Sequence, residues 1–150
     1  MLIQVFTNPL IEFPQLLQIW PHRTTEIIRD IEDCLSHPEL ERMFLIPFEG
    51  KIVGITGFYQ YDDQVGLNWH GVLSEYRKYG LGLKALQELI PLAKEFYPNA
   101  TYLIEELPED REPMLRGFFL KAGFTRTNIH VDKPWITTDT NWIEYRLLLK

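Results

Sequence analysis

Arg77, Gly80 and Gly82 stand where a strand-like pattern gives way to a helical one, and these residue types at this spacing can bind an anion. The segment reads Trp69-His70-Gly71-Val72-Leu73-Ser74-Glu75-Tyr76-Arg77-Lys78-Tyr79-Gly80-Leu81-Gly82. The first turn of a helix leaves amide N–H groups without internal acceptors, and the helix dipole adds roughly half a positive charge there. Glycines at 80 and 82 let a phosphate approach the backbone without meeting a Cβ, and Arg77 or Lys78 can add a charge-assisted contact. Two nucleotide sites are excluded. A P-loop requires Lys-Ser/Thr directly after its last glycine, but Leu83-Lys84-Ala85 follows Gly82. A dinucleotide fingerprint places a third glycine at 85, where this chain has alanine, and no acidic partner follows clearly.

The elements that must position this loop are readable from periodicity. Met1 to Phe6 is a short strand, followed by a helical stripe of Leu10, Phe13, Leu16, Leu17 and Trp20 that Pro14 must break. A second helix starts near Thr25, with Ile27, Ile28, Ile31, Cys34 and Leu35 on one face. Arg42–Phe48 and Lys51–Tyr61 flank Glu49-Gly50, a two-residue hairpin turn, and Pro47 predicts an edge or a bulge. Val65–Leu73 completes a three-strand meander. Leu83, Leu86, Leu89, Ile90, Ala93 and Phe96 then mark a long helix, bent by Pro91. Thr101–Glu105 is a strand, Pro113–Ala122 a helix ended by Gly123, and Phe124–Val131 and Trp142–Leu149 are closing strands. The order predicts an α/β (α+β) domain with a mixed sheet and a parallel crossover from Val65 to Glu105.

Composition bounds the function. The 150 residues fit a single domain spanning 1–150, with 45% hydrophobic and 24% charged residues. A net charge of −6 argues against a nucleic-acid partner, which needs a basic patch. No apolar run approaches a membrane span, so no membrane partner is expected and a cytoplasmic location is. The single cysteine, Cys34, rules out an internal disulfide and reads as core. No metal centre is expected. Trp142–Leu149, taken as an exposed closing strand, leaves a homodimer open.

The strand–loop–helix segment resembles the acetyl-CoA-binding motif of the GNAT superfamily of N-acetyltransferases, Gln/Arg-x-x-Gly-x-Gly/Ala after a strand. Two further segments match in order. Phe118-Phe119-Leu120-Lys121-Ala122-Gly123-Phe124 resembles the family's Leu-Tyr-Glu-Lys-Leu-Gly-Phe, and Glu49-Gly50-Lys51-Ile52-Val53-Gly54 its usual turn and third strand. The resemblance implies a mostly antiparallel sheet of about seven strands flanked by about four helices, with acetyl-CoA as co-substrate. It implies that backbone groups of Val72 and Leu73 pair with the pantetheine arm. The amides of Arg77, Lys78, Tyr79, Gly80, Leu81 and Gly82 would hold the pyrophosphate. Phe119 takes the cofactor-facing position where the family often has a tyrosine acid, Gly66 a position where it often has a glutamate, and Glu112 roughly that of a cofactor-touching asparagine.

The implied acceptor is an amine of a small molecule or peptide, and its proton must go somewhere. An alkyl amine of pKa near 10.4 is neutral in only about one molecule in 2,500 at pH 7, equivalent to roughly 4.6 kcal/mol. Strand alternation puts Asn68, His70 and Val72 on one face, which makes His70 a candidate base, the alternative being a satisfied histidine within the sheet. Glu105, ending the next parallel strand, is a second candidate, acting directly or through water. It lies among Glu106, Glu109, Asp110 and Glu112, which either attract a cationic acceptor or form a solvated loop. Tyr79 is a substitute proton donor, and a strand N–H such as that of Val72 can hold the oxyanion. The aromatic residues at 59, 61, 69, 135 and 142 either line an acceptor pocket or pack in the core. Replacement of the tyrosine by Phe119 also motivates a non-catalytic acyl-CoA-binding module as the alternative function.

Overall fold

The computed structural model describes residues 1–131 and 141–150, so Trp135 lies outside the described residues. Strand β1 (Ile3–Val5) leads into a single helical turn, α1 (Pro9–Glu12), capped by Asn8, whose side chain accepts the Leu10 N–H at 3.0 Å. Pro14 does break the helical stripe: a 3-10 segment, Pro14–Ile19, follows instead of a continued α-helix. Helix α2 (Thr24–Leu35) buries Ile27, Ile31 and Cys34 along one face, as its spacing predicts. Burial pushes the Cys34 thiol up to about 12, so it is an inert core group.

Strands β2 (Arg42–Phe48) and β3 (Lys51–Tyr61) form the expected hairpin. Glu49 and Gly50 both have positive φ, 49° and 77°, which matches the twist a two-residue hairpin needs. Pro47 sits at a register shift next to Ile46 inside a central strand, facing the β3 side where Val53 is the extra residue, so it marks a bulge and not an edge. Beyond these come β4 (Gln64–Leu67), β5 (Gly71–Val72), α3 (Leu81–Phe96), β6 (Tyr102–Pro108), α4 (Glu112–Lys121), β7 (Thr125–Val131) and β8 (Trp142–Leu148). Helix α3 runs through Pro91. Gly123, at φ 101°, closes α4 with Phe124 N–H bonded to Phe119 O and Gly123 N–H to Leu120 O.

The sheet order is β1-β2-β3-β4-β6-β8-β7, with β5 paired to β3. Among the described residues only β4 and β6 pair in parallel, so β4-α3-β6 is the predicted crossover. Helices cover both faces. Leu10, Leu16, Ile27 and Ile31 pack on Met43, Leu45, Ile55 and Leu73. On the other face Leu86, Leu89, Ala93 and Phe119 pack on Phe44, Phe58, Val65, Leu67, Leu103 and Tyr145.

Two expectations change. The strand expected over Val65–Leu73 is two strands, because Asn68–His70 interrupt it and Trp69 takes φ 42°. Phe58 pairs with Leu67 but Gly54 with Val72, which leaves one extra residue on the second strand, a bulge. The closing strand is not an edge. β8 lies between β6 and β7, with its ladder groups paired on both sides, so it offers no open edge for dimerisation.

Candidate functional site

The parallel pairing of β4 and β6 is short. It holds Val65 to Leu103 and Gly66 to Ile104 and then stops. Beyond that rung the bulge carries the first strand into β5, which pairs with β3, while Glu105–Pro108 stay paired to β8. The sheet therefore forks, with Leu67–Val72 on one side and Glu105–Pro108 on the other. A strand held on only one side keeps backbone groups available on the other. The Leu73 N–H donates to Val53 O at 2.8 Å, and ladder alternation then turns both backbone groups of Val72 away from β3. The Val72 carbonyl accepts from Arg77 Nε at 3.0 Å, and the Val72 N–H points into the fork.

Leu73 does not share this role. Its N–H is bonded to Val53, its carbonyl accepts from Tyr76 N–H, and its side chain is buried against the α1–α2 core. The expectation that it contacts a cofactor arm is corrected on those grounds.

Above the fork a 3-10 turn, Ser74–Tyr79, replaces the expected open loop and delivers the chain to Gly80, at φ 70°. A Cβ there would meet nothing, so the left-handed backbone alone explains that glycine. Gly82 is different. Its φ is ordinary, and a Cβ would sit 3.5 Å from Phe118 and 3.8 Å from His70, common packing distances. The fold therefore has no need of glycine at 82, whereas a ligand lying against the first turn of α3 does. No side chain caps this helix, so the N–H groups of Leu81, Gly82 and Leu83 have no helical acceptor. Gly80 N–H is spent on Arg77 O at 3.3 Å. Arg77 and Lys78 are exposed beside this turn, as is Tyr79, 53% accessible, against Phe48 and Lys78.

His70 lies under the same turn, and both of its ring nitrogens are engaged. Nε2 is 2.8 Å from the Gly82 carbonyl, and since a carbonyl only accepts, the proton is on Nε2. Nδ1 is then an acceptor, 2.7 Å from the hydroxyl of the fully buried Thr56. Phe118 stacks on the ring, 5.8 Å between centroids. Burial lowers the His70 pKa to about 4, partly opposed by the bond to Gly82. With its lone pair committed to Thr56, His70 has the geometry of a satisfied histidine, bracing the bulged strand to the first turn of α3.

Phe119 also changes place. It is 6% exposed and packs with Phe124 and Tyr145, whereas its neighbour Phe118 meets Gly82 and His70. One residue is 100° of helix rotation, enough to move a side chain from site to core.

Glu105 is the first residue of β6 past the last rung shared with β4, and its Oε1 accepts from the Glu106 N–H at 2.8 Å. Glu112, expected among acidic residues that either attract a cationic acceptor or form a solvated loop, is instead 2% exposed at the start of α4. Arg116 grips it twice, at 2.8 and 2.7 Å, Arg126 reaches it at 3.2 Å, and the Tyr145 hydroxyl donates to it. Its charge is consumed within the fold. Gly66 has a structural reason too: a Cβ there would come within 2.3 Å of the Tyr59 ring, so Tyr59 fills the space a longer side chain would take. Sequence reasoning missed the bulge and the Thr56 and Phe118 contacts, none of which leaves a local mark.

Known proteins resemble this arrangement. The family model described as the acetyltransferase (GNAT) family matches residues 7–124. No curated protein sequence matches the chain. Among solved structures, an acetyltransferase of the GNAT family from Staphylococcus aureus has a TM-score of 0.68 at 23% identity, covering 100% of this chain and 99% of that one. A GNAT family acetyltransferase from Elizabethkingia anophelis, solved with acetyl-CoA bound, has a TM-score of 0.70 at 17% identity over 99% and 97% of the two chains. Aminoglycoside 6'-acetyltransferase type Ii has a TM-score of 0.74 at 18% identity over 100% and 97%. No helix among the described residues is long and apolar enough to cross a membrane.

Proposed function

Since the chain belongs to the GNAT family of acetyltransferases, we propose that it transfers the acetyl group of acetyl-CoA to an amine by direct attack within the fork. The observation that carries this reading is the uncapped first turn of α3, with a glycine at 82 that the fold does not require, placed at the head of the splayed strands.

The residues present fit the co-substrate. The amides of Leu81, Gly82 and Leu83 would hold its pyrophosphate, with Arg77 and Lys78 adding charge from the exposed side. The thioester supplies an activated acyl group with a leaving thiol that ionises near 8.5. The Val72 N–H is aimed into the fork, where oxygen charge develops during attack. Glu105, at the opposite lip, shares a face of β6 with Leu103 and Leu107, so it takes the proton of the amine through a water within the fork as the C–N bond forms and the C–S bond breaks. His70 is a positioning residue that fixes the α3 turn relative to β5. A cytoplasmic location fits, because the chain's one cysteine is a buried thiol.

Calorimetry with Gly82→Asp tests the donor site. A carboxylate at a helix N-terminus favours the helix, so melting is unchanged or rises slightly, while acetyl-CoA affinity falls about 100-fold, roughly 2.7 kcal/mol. Equal affinity in both proteins would remove the donor site from this turn. Thiol release with an amine panel tests catalysis. Glu105→Gln should lower kcat by about 100-fold or more with acetyl-CoA binding intact. A change below about threefold would move the base elsewhere, and acetyl-CoA binding with no turnover on any amine would favour the non-catalytic binding module.

A further inference from the structure

The face of the fork on the α3 side is filled by His70, Phe118 and the Gly82 turn, so an acceptor reaches it from the opposite face. On that opposite face Tyr59 lies across Gly66, its partner in the β3–β4 ladder and the last residue of β4 joined to β6. A Cβ built on Gly66 would stand 2.3 Å from two ring carbons of Tyr59 and 2.8 Å from its hydroxyl. Only glycine at 66 lets the ring lie there.

Tyr61 continues the aromatic surface, 6.1 Å from Tyr59. Leu103 and Leu107 point into the α3–α4 core, so alternation along β6 puts Glu106 on the face of the two tyrosines. Burial and then the neighbouring Glu106 carboxylate raise the pKa of the Tyr61 hydroxyl, and Glu106 stands opposite Glu144 across the β6–β8 ladder. Both tyrosine rings are partly exposed, with the buried Glu106 behind them. An aromatic face backed by a carboxylate attracts a cation and offers nothing comparable to a neutral group.

We propose that Tyr59 is a specificity-determining residue of the acceptor site: its ring floors the fork and, with Tyr61 and Glu106, selects a slim alkylammonium with a second positive charge. The proposal rests on the acyl-transfer reading above and names the acceptor class for it.

Steady-state kinetics at saturating acetyl-CoA, with 1,4-diaminobutane, n-butylamine and a bulky benzylic amine, test it in wild type, Tyr59→Phe and Tyr59→Ala. Wild type should prefer the diamine. Tyr59→Phe keeps the diamine-to-butylamine ratio of kcat/KM within twofold, because the ring is retained. Tyr59→Ala lowers that ratio about tenfold and raises the rate with the bulky amine, since floor and cation surface are both lost. Acetyl-CoA affinity by calorimetry stays within twofold in both variants. An unchanged ratio in Tyr59→Ala, or an equal loss in Tyr59→Phe, overturns the proposal. If Tyr59→Ala does not fold by circular dichroism, Tyr59→Leu is read by the same criteria. Wild type that binds acetyl-CoA and acetylates butylamine as well as the diamine sinks this assignment alone, whereas wild type that binds no acetyl-CoA sinks the functional reading beneath it.

Discussion

Glu112→Ala should lower the melting temperature by roughly 6–12 °C, the largest single loss expected outside the hydrophobic core. The carboxylate is buried where α4 begins and is the common acceptor for Arg116, Arg126 and Tyr145. Removing it leaves a buried tyrosine hydroxyl without its acceptor and two guanidinium groups without their anion. The arginines are half exposed and water can recover part of their loss, so the cost is on the order of 3 kcal/mol and not the upper end seen for fully buried pairs. Glu112→Gln can keep an oxygen for the three donors on Oε1, but it turns an NH2 toward the Arg116 Nη2 donor and removes the charge, so it should recover less than half of the loss. The sign of the pH effect follows from the carboxyl pKa. The bonds from Arg116 and then Tyr145 hold it down to about 2, below the ordinary 4.5. Its stabilisation is complete above about pH 4.5 and disappears as pH falls toward 2. Thermal melts at pH 7 and pH 3 check both statements: the gap between wild type and Glu112→Ala should narrow in acid, and an equal gap at both pH values would remove the charge from the account.

That network shows which parts of the site were legible in the sequence. Gly80 acts through local backbone geometry, so the spacing of Arg77, Gly80 and Gly82 made the turn where a strand hands over to a helix readable. The hairpin at Glu49-Gly50 and the break at Pro14 were legible for the same reason, since each depends on backbone restrictions of its own residues. Glu112 was not, because its partners lie 4, 14 and 33 positions away and nothing near it in sequence marks a buried acid. The position of β8 was hidden likewise: Tyr102 pairs with Leu148, a choice made by packing across the whole sheet. The bulge is the most instructive miss. Trp69 adopts a left-handed backbone that its side chain disfavours, held by contacts with Trp20 and Arg23 from the segment between α1 and α2. Without that extra residue β5 would continue along β6, the fork would close, and the Val72 N–H would be spent in a ladder.

His70 carries the second large effect, and it appears in how stability depends on pH. The ring is buried and neutral, held between the Thr56 hydroxyl and the Gly82 carbonyl, with Phe118 stacked on it. Protonation would leave a charge with no counter-ion beside the positive end of α3 and would turn Nδ1 from acceptor to donor. In the unfolded chain the same ring titrates near 6.5, whereas in the fold burial lowers it to about 4. Between those values the unfolded state binds a proton that the folded state does not, so acid favours unfolding. The contribution is full above about pH 6.5, shrinks as pH falls, and levels off near 4, with a total of about 3 kcal/mol. Urea denaturation of wild type and His70→Gln at four pH values from 4 to 7.5 isolates it, because carboxylates titrating in the lower half of that window act equally in both proteins. His37, exposed and shifted upward mainly by its bond to the Asp33 carbonyl, has the opposite sign and is likewise common to both. His70→Gln should be less stable at pH 7.5 by about 2 kcal/mol, through loss of ring packing and of well-placed hydrogen bonds, yet at pH 4 more stable than wild type by about 1 kcal/mol, since wild type alone loses the histidine contribution. Parallel stability curves would show that the ring is charged or solvated in the fold. If the curves cross and acetyl-CoA affinity also falls with His70→Gln while Glu105→Gln leaves it intact, the histidine acts by holding the α3 turn in place and the glutamate at the chemistry.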